Sequence, residues 1–536
     1  MLSASCYVAD VTDLSTYNLA DVFQAVADRV GEREAVLCGE RRLTYRELDD
    51  RVTRTANMFL DAGLTRGDHI GIYLRNGTEY LEAMLAAFVI GAVPVNINFR
   101  YVTDELRYLF TNADLVGVVY DPEFADNFAA VSESVPSLRW SVAIGDEYES
   151  LLAGSSGERP DSERSNDDHY LLYTGGTTGL PKGVLWRQED AFFACIGGGD
   201  PMRLSGPVAT PPEVLDRIID FDFCAFPLAP LMHAAAQWTS LSWLFCGARV
   251  VLSPTSFDAL SVWQTIERER VSTLIIVGDA MARPLIDAWD VHGPFDTSSL
   301  FAVGSGGAPL TASLKDRLCE ILPSSAITDG FGSSETGAQG SQRMEPGANS
   351  GGITRFTRLG EGTTVLADDL SEVVPGSGVV GRVALTGRIP LGYYNDPEGT
   401  AATFVDHDGR RWVVTGDAAT VEADGTVTLL GRGSVSINTG GEKVYAEEVE
   451  GVIKSHPSVY DAVVVGVPHE RFGESVAAVV SLTAGETLEL EALAAHCRAS
   501  IAGYKVPRSL VVVDEVVRSP VGKADYRWAR GIVLGS

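Results

Sequence analysis

The sequence predicts an α/β protein: a large N-terminal α/β domain carrying a small β-rich subdomain, then a small, separate α+β domain. Three observations predict it. Strand-like and helix-like patterns alternate to about residue 330, which argues for largely parallel sheets. From Gly360 to Leu430 the pattern changes to short strands joined by turns such as Asp408-Gly409 and Asp424-Gly425. After Gly431-Arg432-Gly433 a third pattern begins, about 100 residues long, which is a normal domain size. The boundary is expected near Arg432 to Ser434, giving domains of residues 1–432 and 433–536.

The elements follow in order. Ala20 to Val30 reads as a helix. Thr44 with Glu47 three residues on is a capping box, and Arg51 to Leu64 keeps apolar residues at helical spacing. His69 to Leu74 reads as a short buried strand, Glu79 to Ile90 as a helix and Ala92 to Asn96 as another strand. In the last domain a helix is expected over Ala446 to Lys454. Strands follow over Ala462 to Val467 and Ser475 to Leu482, then a helix over Glu489 to Ile501.

Composition narrows the function. A chain of 536 residues exceeds one compact core, and 45% apolar with 21% charged residues is ordinary for a globular protein. Many of the 55 glycines cluster, as in loops whose backbone must approach a ligand. A net charge of −30 repels phosphodiester backbones and anionic lipid head groups, so no nucleic-acid partner is expected. Between Arg498 and Arg530 the balance reverses, with seven basic against three acidic residues. That end either meets an anionic ligand or is a mixed solvated surface. Seven scattered cysteines without a CxxC pair fit reduced thiols in a cytoplasmic protein. The start of the chain lacks a basic region followed by an apolar run, so no signal peptide is expected. No stretch approaches the roughly 18 apolar residues of a membrane span. Peripheral membrane contact and self-association stay open.

The most informative stretch is Tyr173-Thr174-Gly175-Gly176-Thr177-Thr178-Gly179-Leu180-Pro181-Lys182-Gly183, which follows a strand-like start at Leu171-Leu172. Its glycines present amide donors, its threonines add hydroxyls and Lys182 adds a positive charge, a set suited to phosphate oxygens. It is neither a Walker A loop nor GxGxxG. A glycine-rich surface turn is the alternative for a lone Gly-Gly, but the combination favours a phosphate cradle.

This stretch resembles the phosphate-binding signature of the adenylate-forming superfamily, which includes acyl-CoA synthetases, firefly luciferase and nonribosomal peptide adenylation domains. The resemblance continues in order along nearly the whole chain. Gly304 to Leu310, with Gly307, Ala308 and Pro309, resembles the family's adenine-flanking loop. Asp329-Gly330-Phe331-Gly332-Ser333-Ser334-Glu335-Thr336 resembles its aromatic-Gly-x-Thr-Glu motif. That implies Phe331 stacking on adenine and Glu335 holding Mg²⁺ together with Thr177. Thr415-Gly416-Asp417 resembles the ribose motif, with Arg432 as partner on the same ribose. Gly431 to Glu450 resembles the hinge of a mobile C-terminal domain. There Lys443 lies near the nucleotide, and Gly440 and Gly441 line a pantetheine channel. Most relatives carry Asp where this chain has Ser434. Ser519-Pro520-Val521-Gly522-Lys523 resembles the catalytic lysine motif. Pro227 to His233 resembles the segment bordering the acyl pocket, with His233 as a gate or, alternatively, as a satisfied structural histidine. Trp186-Arg187-Gln188 departs from the relatives, many of which carry Asn or His variants after the phosphate loop.

The resemblance implies an ATP-dependent acid–thiol ligase that needs ATP, Mg²⁺ and coenzyme A. Lys523 and Lys182 would neutralise charge while a carboxylic acid is converted to acyl-AMP. The small domain would then turn about Arg432 to Ser434, and the thiol of coenzyme A would take the acyl group. Met232 to Trp238 contains no acidic residue, which favours a neutral acyl group. The segments Asn98 to Val102, Gly278 to Pro284 and Asp525 to Trp528 look most like actinobacterial enzymes for fatty acids or steroid side-chain carboxylates. The rival readings are an adenylating enzyme that loads a carrier protein or oxygenates its substrate, a silent ATP-binding regulator, and an NAD-dependent oxidoreductase. The last lacks GxGxxG after the first strand.

Overall fold

The computed structural model describes residues 14–175, 180–347, 354–360, 362–432, 436–439, 442–518 and 523–535, with only the backbone of Arg432. Two large sheets dominate. The seven-stranded sheet runs Gly392–Tyr394, Lys182–Arg187, His169–Thr174, Val93–Asn96, His69–Tyr73, Leu115–Tyr120, Trp140–Ala143. Its last five strands pair in parallel, and Lys182–Arg187 and Gly392–Tyr394 add antiparallel at one edge. In the nine-stranded sheet, Ala326–Ser333, Ala302–Ser305, Thr273–Ile276, Cys224–Pro227, Arg249–Leu252 and Glu34–Cys38 pair in parallel.

The expected capping box is present. The Thr44 hydroxyl accepts from the Glu47 N–H at 3.2 Å, and the Glu47 carboxylate accepts from the Thr44 N–H at 2.8 Å. The two expected helical pieces there are one helix, Tyr45–Asp61. Thr78–Val89 is mostly apolar, and all its residues but Glu79 are buried. A helix of that kind belongs between layers, and it packs against Leu19–Val30 and Tyr45–Asp61. Residues from both large sheets and these helices share one core, with Trp186 and Trp263 fully enclosed. Burying a large apolar side chain contributes roughly 2–3 kcal/mol.

The β-rich subdomain is an antiparallel sheet of Thr363–Leu366, Gly381–Thr386, Arg410–Val421 and Phe404–His407, with Val427–Arg432 paired to Arg410–Val421. A fourth sheet and its helices form the C-terminal unit, with its own core around Val449, Val464 and Val480. Its helix Ala446–Lys454 falls where the sequence predicts it, and the second expected helix is Leu490–Arg498. Among the described residues no helix is long and apolar enough to cross a membrane.

Candidate active site

In the nine-stranded sheet the segments at the carboxyl ends of the parallel strands carry most of the expected site, the usual place for ligands in an open α/β sheet. The seven-stranded sheet carries the two strands that flank the expected phosphate loop. Asn96 joins the two. Its buried amide donates to the carbonyls of Tyr173 at 2.9 Å and Met232 at 2.6 Å, and its oxygen accepts from the Tyr173 N–H at 2.8 Å. Met232 belongs to the acyl segment that follows Cys224–Pro227. That segment is held again at Leu231, whose N–H donates to Asn76 at 2.7 Å and whose carbonyl accepts from Gln237 at 2.7 Å.

Thr174 ends its strand opposite Lys182, and Gly175 is exposed beside the Tyr101 hydroxyl. Gly176, Thr177, Thr178 and Gly179 lie outside the described residues. The Lys182 ammonium sits 2.9 Å from Asp396 and 4.6 Å above the Tyr393 ring. Its hydrogen bond, then the Gly399 N–H, holds the Asp396 carboxyl below the usual carboxylate range. The Tyr393 hydroxyl donates to Glu335 at 2.8 Å. Burial, then the Glu335 charge, pushes the Tyr393 phenol up, so it remains a donor at neutral pH. One aromatic side chain therefore sets the spacing of a cation and a carboxylate.

On the expected adenine side, Gly307, Ala308 and Pro309 follow the strand Ala302–Ser305. Gly278 lies beneath them at φ +49°, and a Cβ there would meet the Pro309 oxygen at 2.4 Å. Only glycine fits that approach. The Asp279 N–H donates to the Pro309 carbonyl at 3.0 Å, and the Asp279 carboxylate accepts from the Thr311 N–H at 2.7 Å. Asp329 is buried and ion-paired with Lys315 at 2.8 Å, so its carboxylate is engaged inside the wall. Gly330 and Phe331 continue the same strand, and Gly332 resumes the pairing after a bulge. The Phe331 ring meets Phe356 edge-on at 4.9 Å and lies over Gly340, where a Cβ would strike it at 2.0 Å. The Ser334 carbonyl accepts from the Trp186 indole at 2.9 Å. This gives the departing Trp186-Arg187-Gln188 stretch a structural account. Arg187 pairs with Asp167 and Asp190, and Gln188 accepts from the Leu19 N–H at 2.8 Å.

Asp417 is half-buried and stands opposite Arg432 in the antiparallel ladder. Lys443 is exposed on the strand Glu442–Val444. Gly440, Gly441 and Ser434 lie outside the described residues. Lys523 is exposed, and its charge reaches His233. Burial first, then the charges of Lys523 and Arg100, push the His233 imidazole down to about 4. The His233 ring is thus neutral at pH 7, with two cations in electrostatic reach and its buried Nε2 without a hydrogen-bond partner. A lysine of the C-terminal unit therefore lies within electrostatic reach of the segment that follows Cys224–Pro227. Cations brought to such a place can stabilise charge that develops between a carboxylate and a phosphate.

Residues 23–394 match the AMP-binding enzyme family, and residues 448–523 match the AMP-binding enzyme C-terminal domain. The 3-oxocholest-4-en-26-oate–CoA ligase of Rhodococcus rhodochrous is 46% identical over 540 residues, covering 96% of this chain and 95% of that protein. The medium/long-chain-fatty-acid–CoA/3-oxocholest-4-en-26-oate–CoA ligase of Mycobacterium tuberculosis (strain ATCC 25618 / H37Rv) is 46% identical over 534 residues, with coverage of 96% and 95%. Among solved structures, the anthranilate CoA ligase AuaEII in complex with anthranoyl-AMP superposes with a TM-score of 0.83 at 23% identity, covering 97% of this chain and 98% of the other. This chain belongs to the AMP-binding enzyme family, as an acid–thiol ligase of the acyl-CoA synthetase kind that uses a carboxylic acid, ATP and coenzyme A.

Three side chains that hold these loops carry no assigned role in the sequence reading: Asn96, Asp279 and Tyr393. Asp279 lies in the Gly278 to Pro284 segment, and Tyr393 in the Gly392-Tyr393-Tyr394-Asn395-Asp396-Pro397 stretch before a capped helix.

Proposed function

We propose that the acid is hydrophobic: a long-chain fatty acid or a steroid side-chain carboxylate such as a cholesterol-derived 26-oate. The observation that carries this reading is the His233 neighbourhood. Leu231 and Met232 are buried, the imidazole is uncharged, and no acidic side chain stands between Met232 and Trp238 to hold a substrate amine. The names of the two bacterial relatives support the same acid class.

In this reading the carboxylate oxygen attacks the α-phosphorus of ATP, the bond to pyrophosphate breaks, and acyl-AMP forms. Both reactants are anionic, so the protein must orient them and neutralise charge. Lys523 bridges the carboxylate and the α-phosphate. Thr174 to Gly179 cradle the phosphates, and Lys182 leaves Asp396 to join them. Gly307 to Pro309, Gly330, Phe331, Gly332 and Ser334 flank adenine, with Asp329 anchoring the wall. Asp417 and Arg432 hold the ribose, with Lys443 nearby. Glu335 and Thr177 would hold Mg²⁺, because one oriented carboxylate and one hydroxyl suit a hard cation that keeps water and phosphate oxygens. When bound, that ion screens the phosphate charge. After the small domain turns, the thiol passes Gly440 and Gly441, loses its proton to solvent and attacks the acyl carbon, and AMP leaves. We place the domain division at residue 432: the strand Val427–Arg432 closes one sheet and Ile437–Thr439 opens the next. A cytoplasmic setting accords with the free thiols Cys38, Cys195, Cys224, Cys246, Cys319 and Cys497.

The test is incubation of the protein with ATP, Mg²⁺, coenzyme A and a panel of fatty, aryl and steroid-side-chain acids, read as thioesters by mass spectrometry. A fatty or steroid thioester is expected. A product from aryl acids alone would overturn the substrate reading.

A further inference from the structure

Lys454 ends the helix Ala446–Lys454 of the C-terminal unit, yet its ammonium reaches into the large domain. It stands 3.1 Å from Asp279 and 3.4 Å from Asp461, with both Lys454 and Asp279 buried. Asp279 opens the helix Gly278–His292 directly under the adenine loop, holding Pro309 through its N–H and Thr311 through its carboxylate. On the other side, Asp461 accepts hydrogen bonds of 2.6 and 2.7 Å from Arg518. Arg518 lies five residues before Lys523. A second contact joins the same helix to the same small-domain strand. The Tyr460 hydroxyl donates to Asp287 at 2.9 Å, and the Arg283 guanidinium covers the Tyr460 ring at 4.5 Å.

The pair is built to break. When the small domain turns away, Lys454 keeps Asp461 and Asp279 keeps the Thr311 N–H, so neither charge is stranded without a partner. A contact made in only one orientation shifts the orientational equilibrium by its own strength. Burial shields it from salt, unlike an exposed pair.

We propose that Lys454 and Asp279 are positioning residues. Their ion pair holds the small domain in the orientation that brings Lys523 to His233, and it ties that orientation to the adenine loop. This rests on the reading above, in which Lys523 serves adenylate formation and withdraws for the thiol step.

The two half-reactions separate the possibilities: ATP–pyrophosphate exchange for adenylation, and thioester formation from supplied acyl-AMP and coenzyme A. In K454M and in D279N, adenylation is expected to fall about tenfold, the scale of a typical coupling between sites. Thioester formation should stay at or above the wild-type rate. K454R, which restores a cation toward Asp279, should recover adenylation. D279N keeps an oxygen for Thr311, so it guards against a folding defect in K454M. Equal loss of both half-reactions in D279N, or no loss in either variant, would overturn the proposal. K523A run in parallel tests the reading beneath it. If K523A splits the half-reactions and D279N does not, only the ion-pair proposal falls. If K523A loses both equally, the reading of Lys523 falls first.

Discussion

The two walls of the cleft are built differently. On the large-domain side, Asn96, Asn76, Gln237 and Tyr393 hold the loops by hydrogen bonds, most of them buried, and those from Asn96 to Met232, Asn76 to Leu231 and Tyr393 to Glu335 cross between the sheets. On the small-domain side, Lys523 and Lys443 are exposed, and the fixed contacts lie behind them in the Lys454, Asp461 and Arg518 network. One wall is held by its own hydrogen bonds, and in the proposed mechanism the other is delivered. In the proposed mechanism that asymmetry has a use, because a cation placed for the first step would have to leave for the second.

The largest expected effect falls on the delivered wall. Lys523→Ala should lower adenylation about 100- to 1000-fold, the loss typical of one transition-state donor. Thioester formation from supplied acyl-AMP should persist, and pyrophosphate exchange beside a thioester assay measures both. On the preorganised wall, Asn96→Ala removes the tie between Tyr173 and Met232 and leaves buried partners unpaired, at a cost of about 3 kcal/mol. Calorimetry should show a lower melting temperature, with both half-reactions falling together. A split between them would blur the comparison.

His233 gives a pH test. Folded and unfolded chains both carry it neutral above its ordinary 6.5, but below that the unfolded chain takes a proton that the folded one refuses until about 4. Stability is therefore lost as pH falls through that window, by about 2 kcal/mol between pH 6.5 and pH 5. Denaturant melts of wild type and His233→Gln at both pH values should show the variant losing less. Parallel losses would mean that His233 is not shielded. The smallest effect belongs to Tyr393→Phe, which keeps the ring under Lys182 but removes the donor to Glu335. Adenylation should fall about tenfold, as for one hydrogen bond to a charged group, with the Mg²⁺ dependence shifted. An unchanged Mg²⁺ titration would detach Tyr393 from that role.

Local chemistry made much of this readable in advance. The Thr44 capping box, the alternation of strands and helices and the shift of period near residue 360 all act over a few residues, and each reappears in the structure. The supports of the site do not work that way. Asn96 meets Tyr173 across 77 positions, Tyr393 meets Glu335 across 58 and Lys454 meets Asp279 across 175. A single polar side chain at that separation leaves no periodic trace. Lys182 shows the same limit from the other direction. Its type marked it as a phosphate ligand, but only the fold reveals Asp396 as its resting partner.

The strand Gly392–Tyr394 has a consequence for how the chain is made. It closes the edge of a sheet whose next strand, Lys182–Arg187, leaves the ribosome about two hundred residues earlier. Until then the apolar Val184, Leu185 and Trp186 border an unpaired edge, open to pairing with a neighbouring chain. The same late strand delivers Tyr393 to Glu335 and, three residues on, Asp396 to Lys182. An unfinished chain therefore carries the hazard of an open edge without an assembled catalytic wall, and the step that removes the hazard also assembles the wall.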